Sequence, residues 1–227
     1  MAELAETMER RTSADVVFDY LHEQIGSLAL LPGAKISEAE IAAKFGVSRQ
    51  PVRDAFSRLG NLDLLLIRPQ KATVVKKFSL RAIETARFVR LSVELEVLRK
   101  AAAAWDGRLD KAFDKNVAAQ KAAVKANDID RFHALDYEFH RMLCDAANTA
   151  FAFEIIQANK NKVDRLCVLS LASQDGPMQL IKDHELMLKQ LRDHDEAGVS
   201  DTIRKHLARL DETIATIHET HASYFDS

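Results

Sequence analysis

The sequence predicts a mainly α-helical chain: an N-terminal winged helix-turn-helix with a small β-hairpin wing, then an antiparallel all-α bundle of about six helices. Three observations predict it. Ala, Leu, Lys, Arg, Asp and Glu dominate, and seven glycines and four prolines are all that punctuate 227 residues, so long helices can run unbroken. β-like runs are confined to Leu64–Ile67 and Thr73–Val75. From Ser79 onward, apolar residues recur at helical spacing.

Taken in order, residues 13–28 read as a helix capped by Thr12 or Ser13, with Val16, Val17, Tyr20, Leu21 and Ile25 on one face. Leu31-Pro32-Gly33 is a turn. Ser37 caps a short helix, with Glu40 three residues on as in a capping box, and that helix ends at Gly46. Ser48 caps the next helix, 49–61, where Pro51 sits in the first turn and its missing N–H costs nothing. The two β-like runs, separated by Arg68-Pro69-Gln70-Lys71-Ala72, form the hairpin. Six helices follow, over 79–105, 108–126, 128–147, 150–173, 177–195 and 199–223. The domain boundary is expected near Lys77, giving a DNA-binding-type domain over 1–77 and a helical domain over 78–227.

Composition narrows the function. No apolar run approaches the ~20 residues a membrane span needs. Met1 to Arg11 alternates charges and lacks the apolar core of a signal peptide. Cys144 and Cys167 make no disulfide framework and read as buried free thiols, which fits a reducing cytoplasm. Net charge is −2, but residues 44–77 carry eight cationic side chains against Asp54 and Asp63, a local surplus of +6 within an otherwise acidic chain. Such a segment is an electrostatic footprint for phosphates.

The most specific string is Phe45-Gly46-Val47-Ser48-Arg49-Gln50-Pro51-Val52-Arg53-Asp54-Ala55. Gly46 permits the sharp turn, and Ser48, Arg49, Gln50 and Arg53 sit at the N-terminal end of a recognition helix, the end that meets base edges in the major groove. Arg can grip a guanine edge bidentately and Gln can pair with adenine. Ser48 and the open N–H groups of the first turn suit a phosphate. Arg58 belongs to the same basic segment, and Arg68 and Lys71 on the wing are placed to reach the neighbouring backbone or minor groove. This region, about residues 13–77, closely resembles the GntR family and its FadR-type subfamily. That family's PG-x-x-L-S-E appears as Pro32 to Glu38, and its A-x-x-F-G-V-S-R-T-P-V-R-E-A-L as Ala42 to Phe56. The chain departs from the family at Ala39, where a basic residue is usual, and at Asp63 and Ala72, where glycines are usual.

A second constellation lies in the bundle. Asp136 and His140, at i and i+4, interrupt the apolar stripe of Phe132, Phe139 and Leu143. His184 shares a face with Leu180, Met187, Leu188 and Leu191, and His206 with Ile203, Leu210 and Ile217. His184 and His206 are equidistant from the turn at position 195, so two antiparallel helices joined there would bring them level. Three imidazoles and a carboxylate suit Zn²⁺, Ni²⁺, Mn²⁺ or Fe²⁺, and one divalent ion would satisfy four costly buried groups together. His133, His194, His218 and His221 are expected in surface or local capping roles. The set resembles the metal-binding FCD effector domain of FadR-type regulators, whose D-x-x-F-H appears as Asp136 to His140. The resemblance implies a small carboxylate effector on the metal, held further by Arg90, in Arg90-Leu91-Ser92-Val93-Glu94, and by Arg165.

Together these readings predict a DNA-binding transcription regulator, a repressor, acting as a homodimer on a palindromic double-stranded operator and modulated by a metal-bound organic acid. A regulator with a purely structural or sensed metal is the alternative. A metal-dependent enzyme is disfavoured, because no general base stands near the site beyond the ligands themselves.

Overall fold

The computed structural model describes residues 11–170 and 175–226; the side chains of 161, 164, 167–170, 175, 210, 212 and 213 lie outside the described set. The reading of Cys167 as a buried thiol, and all but the last residue of the stretch Met1 to Arg11 read as lacking the apolar core of a signal peptide, therefore fall outside the described residues. Two compact units are present, Met1–Phe78 with Ser223–Ser227, and Ser79–Ala222.

In the first unit, α1 (Ser13–Gly26) starts at a full capping box in which Thr12 and Asp15 satisfy each other's backbone N–H. The chain then forms β1 (Lys35–Ile36), α2 (Glu38–Phe45), α3 (Arg49–Asn61), β2 (Leu65–Leu66) and β3 (Thr73–Val75). Gly46 closes α2 at φ +62°, the left-handed conformation a glycine adopts without a Cβ penalty, and so turns the chain into α3. Val17, Leu21 and Ile25 of α1 pack with Val52, Ala55, Phe56 and Leu59 of α3, and Ile36, Leu65 and Val75 close the core. Each of these side chains larger than alanine contributes about 1.5–3 kcal/mol on burial.

The wing is larger than the predicted hairpin. β1 pairs antiparallel with β3, through Lys35↔Val74, so the sheet has the order β1-β3-β2. A two-residue strand carries no detectable alternation, and its place beside β3 comes from tertiary packing. Two caps also differ from expectation. Ser37 accepts from Glu40 N, but the return bond of a capping box is not formed among the described residues, and Ser48 occupies the N-cap of α3 without a side-chain cap bond. Asp63, at the family's glycine position, takes φ +62° and pairs with Lys76, whereas the left-handed residue at the wing tip is Gln70 rather than Ala72. The chain's end also joins this unit. Phe78 N–H donates to Tyr224 O, Asp226 N–H donates to Phe78 O, and the Phe78 and Phe225 rings lie 5.4 Å apart.

The second unit comprises α4 (Leu80–Ala104), α5 (Asp110–Lys125), α6 (Ile129–Ala146), α7 (Ala152–Ser170), α8 (Asp175–Arg192) and α9 (Glu196–Thr220). Ser79, Asp128 and Asp195 cap α4, α6 and α9 with side-chain oxygens. Asn127, Asn148 and His194 take left-handed conformations just after α5, α6 and α8, which ends those helices sharply. α8 begins two residues before its predicted start, because Pro177 fits the first helical turn, where no N–H is needed. Phe113, Phe132, Phe139, Leu98, Leu143, Ile181, Leu191 and Ile203 form the core. Cys144 is fully buried, and burial pushes its thiol up to about 12, so it stays protonated and inert.

Candidate nucleic-acid face and metal centre

On the first unit, α3 buries Val52, Ala55, Phe56 and Leu59 and turns its opposite face to solvent. Ser48, Arg49, Gln50, Arg53 and Arg58 are all exposed there, as are Arg68 and Lys71 in the turn between β2 and β3. Three of them already have partners. Gln50 Nε2 donates to Asp54 Oδ1 at 2.9 Å, Arg53 Nε to Glu38 Oε2 at 2.9 Å, and Arg58 Nη1 to Asp15 Oδ1 at 2.8 Å. Arg58 also stacks on Phe18, 4.0 Å from the ring centre, so it ties α3 to α1. The bonds of Gln50 and Arg53 are solvent-exposed and cheap to exchange for a base or phosphate. Ser48, whose hydroxyl is not spent on the cap, stands at the open N-terminus of α3, an electropositive end suited to an anion.

In the second unit, the four predicted metal residues meet. Asp136 and His140 come from α6, His184 from α8 and His206 from α9, and one donor atom from each lies within 4.8 Å of all the others. All four residues are at most 5% exposed. The imidazole centres are 5.0–5.7 Å apart, and the His184 ring stacks on Phe139 at 4.0 Å. His184 Nε2 faces Asp136 Oδ1 at 3.5 Å and is buried with no hydrogen-bond partner. An orphaned nitrogen in a dry core is costly, and a cation at this point would remove the cost.

Each imidazole is steered from outside. His140 Nδ1 lies 2.8 Å from Glu94 Oε2, and His206 Nδ1 lies 3.4 Å from Asp183 Oδ2. His184 Nδ1 lies 2.9 Å from Gln120 Oε1. That last partner fixes the tautomer. Asn116 Nδ2 donates to the backbone carbonyl of Leu135, so its Oδ1 accepts from Gln120 Nε2, at 2.7 Å. Gln120 therefore presents its oxygen to His184, Nδ1 carries the proton, and Nε2 keeps a free lone pair facing the cluster.

Electrostatics set the same protonation pattern. Burial raises the Asp136 carboxyl, but the positive charge around it, the Lys160 ammonium foremost, outweighs that and holds the group below the usual range. Burial disfavours the imidazolium of His184, with repulsion from His206 adding to it, so its pKa falls well below the ordinary value. His206 is lowered by burial as well. An ionised carboxylate beside neutral imidazoles is the state a divalent ion requires, so the donor set fits one. For the metal-free protein the signs agree. His184 and His206 are depressed in the fold, so the unfolded chain takes up protons first as pH falls below about 6.5. Asp136, together with Glu94 and Asp183 (also held low, against burial, by Arg90 and by hydrogen bonds from His206 and Arg209), stabilises the fold above the ordinary carboxylate range and loses that contribution as pH falls further. The melting temperature of chelated protein is expected to fall continuously from pH 7 to pH 4. A flat profile across that window contradicts the buried neutral imidazoles.

Of the two arginines expected at an effector, Arg90 reaches the cluster. Its Nε pairs with Glu94, and its Nη2 lies 3.4 Å from His140 Nε2. Arg165 is buried on α7. Among the remaining histidines, His194 is engaged locally, with Nδ1 2.7 Å from Ala102 O. Sequence reasoning missed Glu94, Asn116, Gln120, Lys160 and Asp183. Asn116 and Gln120 did carry a signal, two amides at i and i+4 on the apolar face of Phe113, Val117 and Val124.

Comparison with known proteins matches this architecture part by part. Residues 13–75 match the family described as bacterial regulatory proteins, gntR family, and residues 86–209 match the FCD domain. The chain is 30% identical to the HTH-type transcriptional repressor RspR of Escherichia coli strain K12 over 92% of each chain. It is 28% identical to a probable D-xylose utilization operon transcriptional repressor of Paenarthrobacter nicotinovorans over 88% of each. Among solved structures, E. coli McbR/YncC superposes with a TM-score of 0.69 at 19% identity, covering 93% of this chain and all of that one. That last likeness concerns the fold. Members of this family bind DNA operators and are not enzymes, and no described helix is long and apolar enough to cross a membrane. The chain belongs to the gntR family of bacterial regulators, as a DNA-binding transcription regulator carrying an FCD domain.

Proposed function

We propose that this regulator is a cytoplasmic repressor that binds a palindromic operator as a homodimer, and that a small organic acid held at a divalent metal modulates that binding. The observation carrying the metal part is the convergence of Asp136, His140, His184 and His206 within 4.8 Å, with His184 Nε2 buried and unpartnered. Nitrogen-rich donors of this kind favour zinc, with nickel, manganese or iron next. When bound, the ion supplies a Lewis-acidic position for a carboxylate. Glu94, Gln120 and Asp183 orient the imidazoles toward it. Arg90, beside His140, is placed to make a charge-assisted bond to the acid, and Arg165 is the second candidate.

In the first unit, Arg49, Gln50 and Arg53 read base edges, while Ser48, Arg68 and Lys71 hold phosphates. Arg58, tied to Asp15 and Phe18, adds positive charge behind them. The repressor assignment is supported by the names of the relatives. The dimer is supported by the large apolar side chains of Phe88, Phe151 and Ile155, exposed on α4 and at the start of α7, a costly surface for a lone chain. Regulation requires that the acid bind two arrangements of the protein with unequal affinity.

The test is a thermal melt of the purified protein against a panel of small organic acids, with and without a chelator. A rise in melting temperature that is selective for one acid and abolished by the chelator supports the reading, since a ligand of the native state stabilises it by mass action. A melting temperature that falls with chelator but ignores every acid favours the second reading, a structural or sensed metal. That reading has its own support, because three imidazoles and a carboxylate already fill a tetrahedral set. Gln120→Leu, which removes the acceptor that fixes the His184 tautomer, is expected to weaken zinc binding by about 10–100-fold in a competition titration. Unchanged affinity contradicts the tautomer argument.

A further inference from the structure

Lys160 stands directly beside the cluster's carboxylate, and nothing in the sequence pointed to it. It lies on α7, 6% exposed, with Nζ 3.4 Å from Asp136 Oδ2 and 4.2 Å from the centre of the Tyr137 ring. Asp136 is thereby divided. Its Oδ1 faces His184 Nε2 at 3.5 Å and His140 Nε2 at 3.9 Å, while its Oδ2 faces the ammonium. One oxygen is turned to the metal position and the other is held by a lysine.

We infer that Lys160 is a built-in counter-ion for Asp136: it stabilises the metal pocket when no metal is present, and competes with the metal when one binds. The inference rests on the proposed metal site. Two physical consequences follow from the geometry. A buried carboxylate without a partner is expensive, so the ammonium lets the unit stay folded without a metal. A unit positive charge this near a divalent cation, in a dry interior, opposes its binding. The lysine also limits Asp136 to one donor oxygen, because a bidentate carboxylate would have to give up the ammonium. Lys160 thus trades metal affinity for reversibility. The metal becomes an exchangeable component rather than a permanent staple, as suits a regulator whose site must answer to concentration.

The experiment uses the full-length chain and zinc alone, titrated against a chromophoric chelator, with melting temperatures recorded in the metal-free and zinc-loaded states. Lys160→Met, which keeps the aliphatic bulk, is expected to bind zinc about tenfold more tightly or better. Its metal-free melting temperature should drop and the gap between the two states should widen. Lys160→Arg, which keeps the charge, should retain wild-type affinity. A variant that folds only with zinc is the extreme form of the expected result. If Lys160→Met gives no soluble protein in either state, Lys160→Gln is measured the same way against the same criteria. A wild-type zinc affinity with both melting temperatures lowered equally means that Lys160 merely packs, and overturns the inference while leaving the metal site intact. A wild-type chain that binds no zinc, nickel, manganese or iron overturns the metal reading itself, a separate and recognisable failure.

Discussion

His184→Ala is expected to weaken zinc binding by about two orders of magnitude while leaving the DNA-binding unit folded. A structural zinc site is worth about 10–16 kcal/mol over four ligands, so one ligand carries roughly 3 kcal/mol, or about a hundredfold in affinity. His184 is the most informative of the four. Its Nε2 is buried without a hydrogen-bond partner, and its Nδ1 is committed to Gln120. The variant also removes a ring stacked on Phe139, so the metal-free protein should melt somewhat lower. His194→Ala is the control. That histidine bonds the backbone of Ala102, outside the cluster, and its loss should not alter zinc affinity. If His184→Ala binds zinc as the wild type does, the ligand set is wrong.

Arg49→Ala is expected to cost operator binding about 1–3 kcal/mol, a loss of roughly 5- to 150-fold, with no change in melting temperature. The side chain is exposed at the first position of α3, and among the described residues it makes no ion pair that the substitution would break. Arg53→Ala should act similarly, apart from the exposed pair with Glu38, which is worth at most about 1 kcal/mol. Lys71→Ala should behave differently. A phosphate contact carries no sequence information, so operator and random duplex should weaken alike and the salt dependence should become shallower by about one counterion. The duplex can be selected from a randomised pool with the wild-type protein. Wild-type affinity and base preference in Arg49→Ala would remove α3 from the role of reading helix.

Much of this was legible in the sequence because it rests on local chemistry. The range of α3 follows from Ser48 at its start, Pro51 in its first turn and the stripe Val52, Ala55, Phe56, Leu59. Asp136, His140, His184 and His206 were visible because each breaks an apolar face at helical spacing. Their outer partners were not. Nothing local marks Glu94, Asp183 or Lys160 as a partner of the four, and only packing buries them against the cluster. β1 was hidden for another reason, since two residues have no period and their pairing with β3 comes from tertiary packing. Asp63 lay between. The glycine pattern marked it as a departure, and φ +62° explains why a glycine would be at ease there.

The pairing of Phe78 with residues 224–226 has a consequence for how the chain is cut and joined. By connectivity, the helical unit is an insertion into the DNA-binding unit, which the polypeptide leaves at Phe78 and re-enters at Ser223. A fragment ending at Phe78 lacks its last backbone partner and uncovers an aromatic ring that is 4% exposed in the whole protein. Deletion of the residues after Ala222 should lower the stability of the DNA-binding unit by about 2–4 kcal/mol, the burial of one to two aromatic rings, a loss readable as lower melting and earlier proteolysis near Phe78. The two domains are neighbours on a linear map, but the first is completed by residues that follow the second.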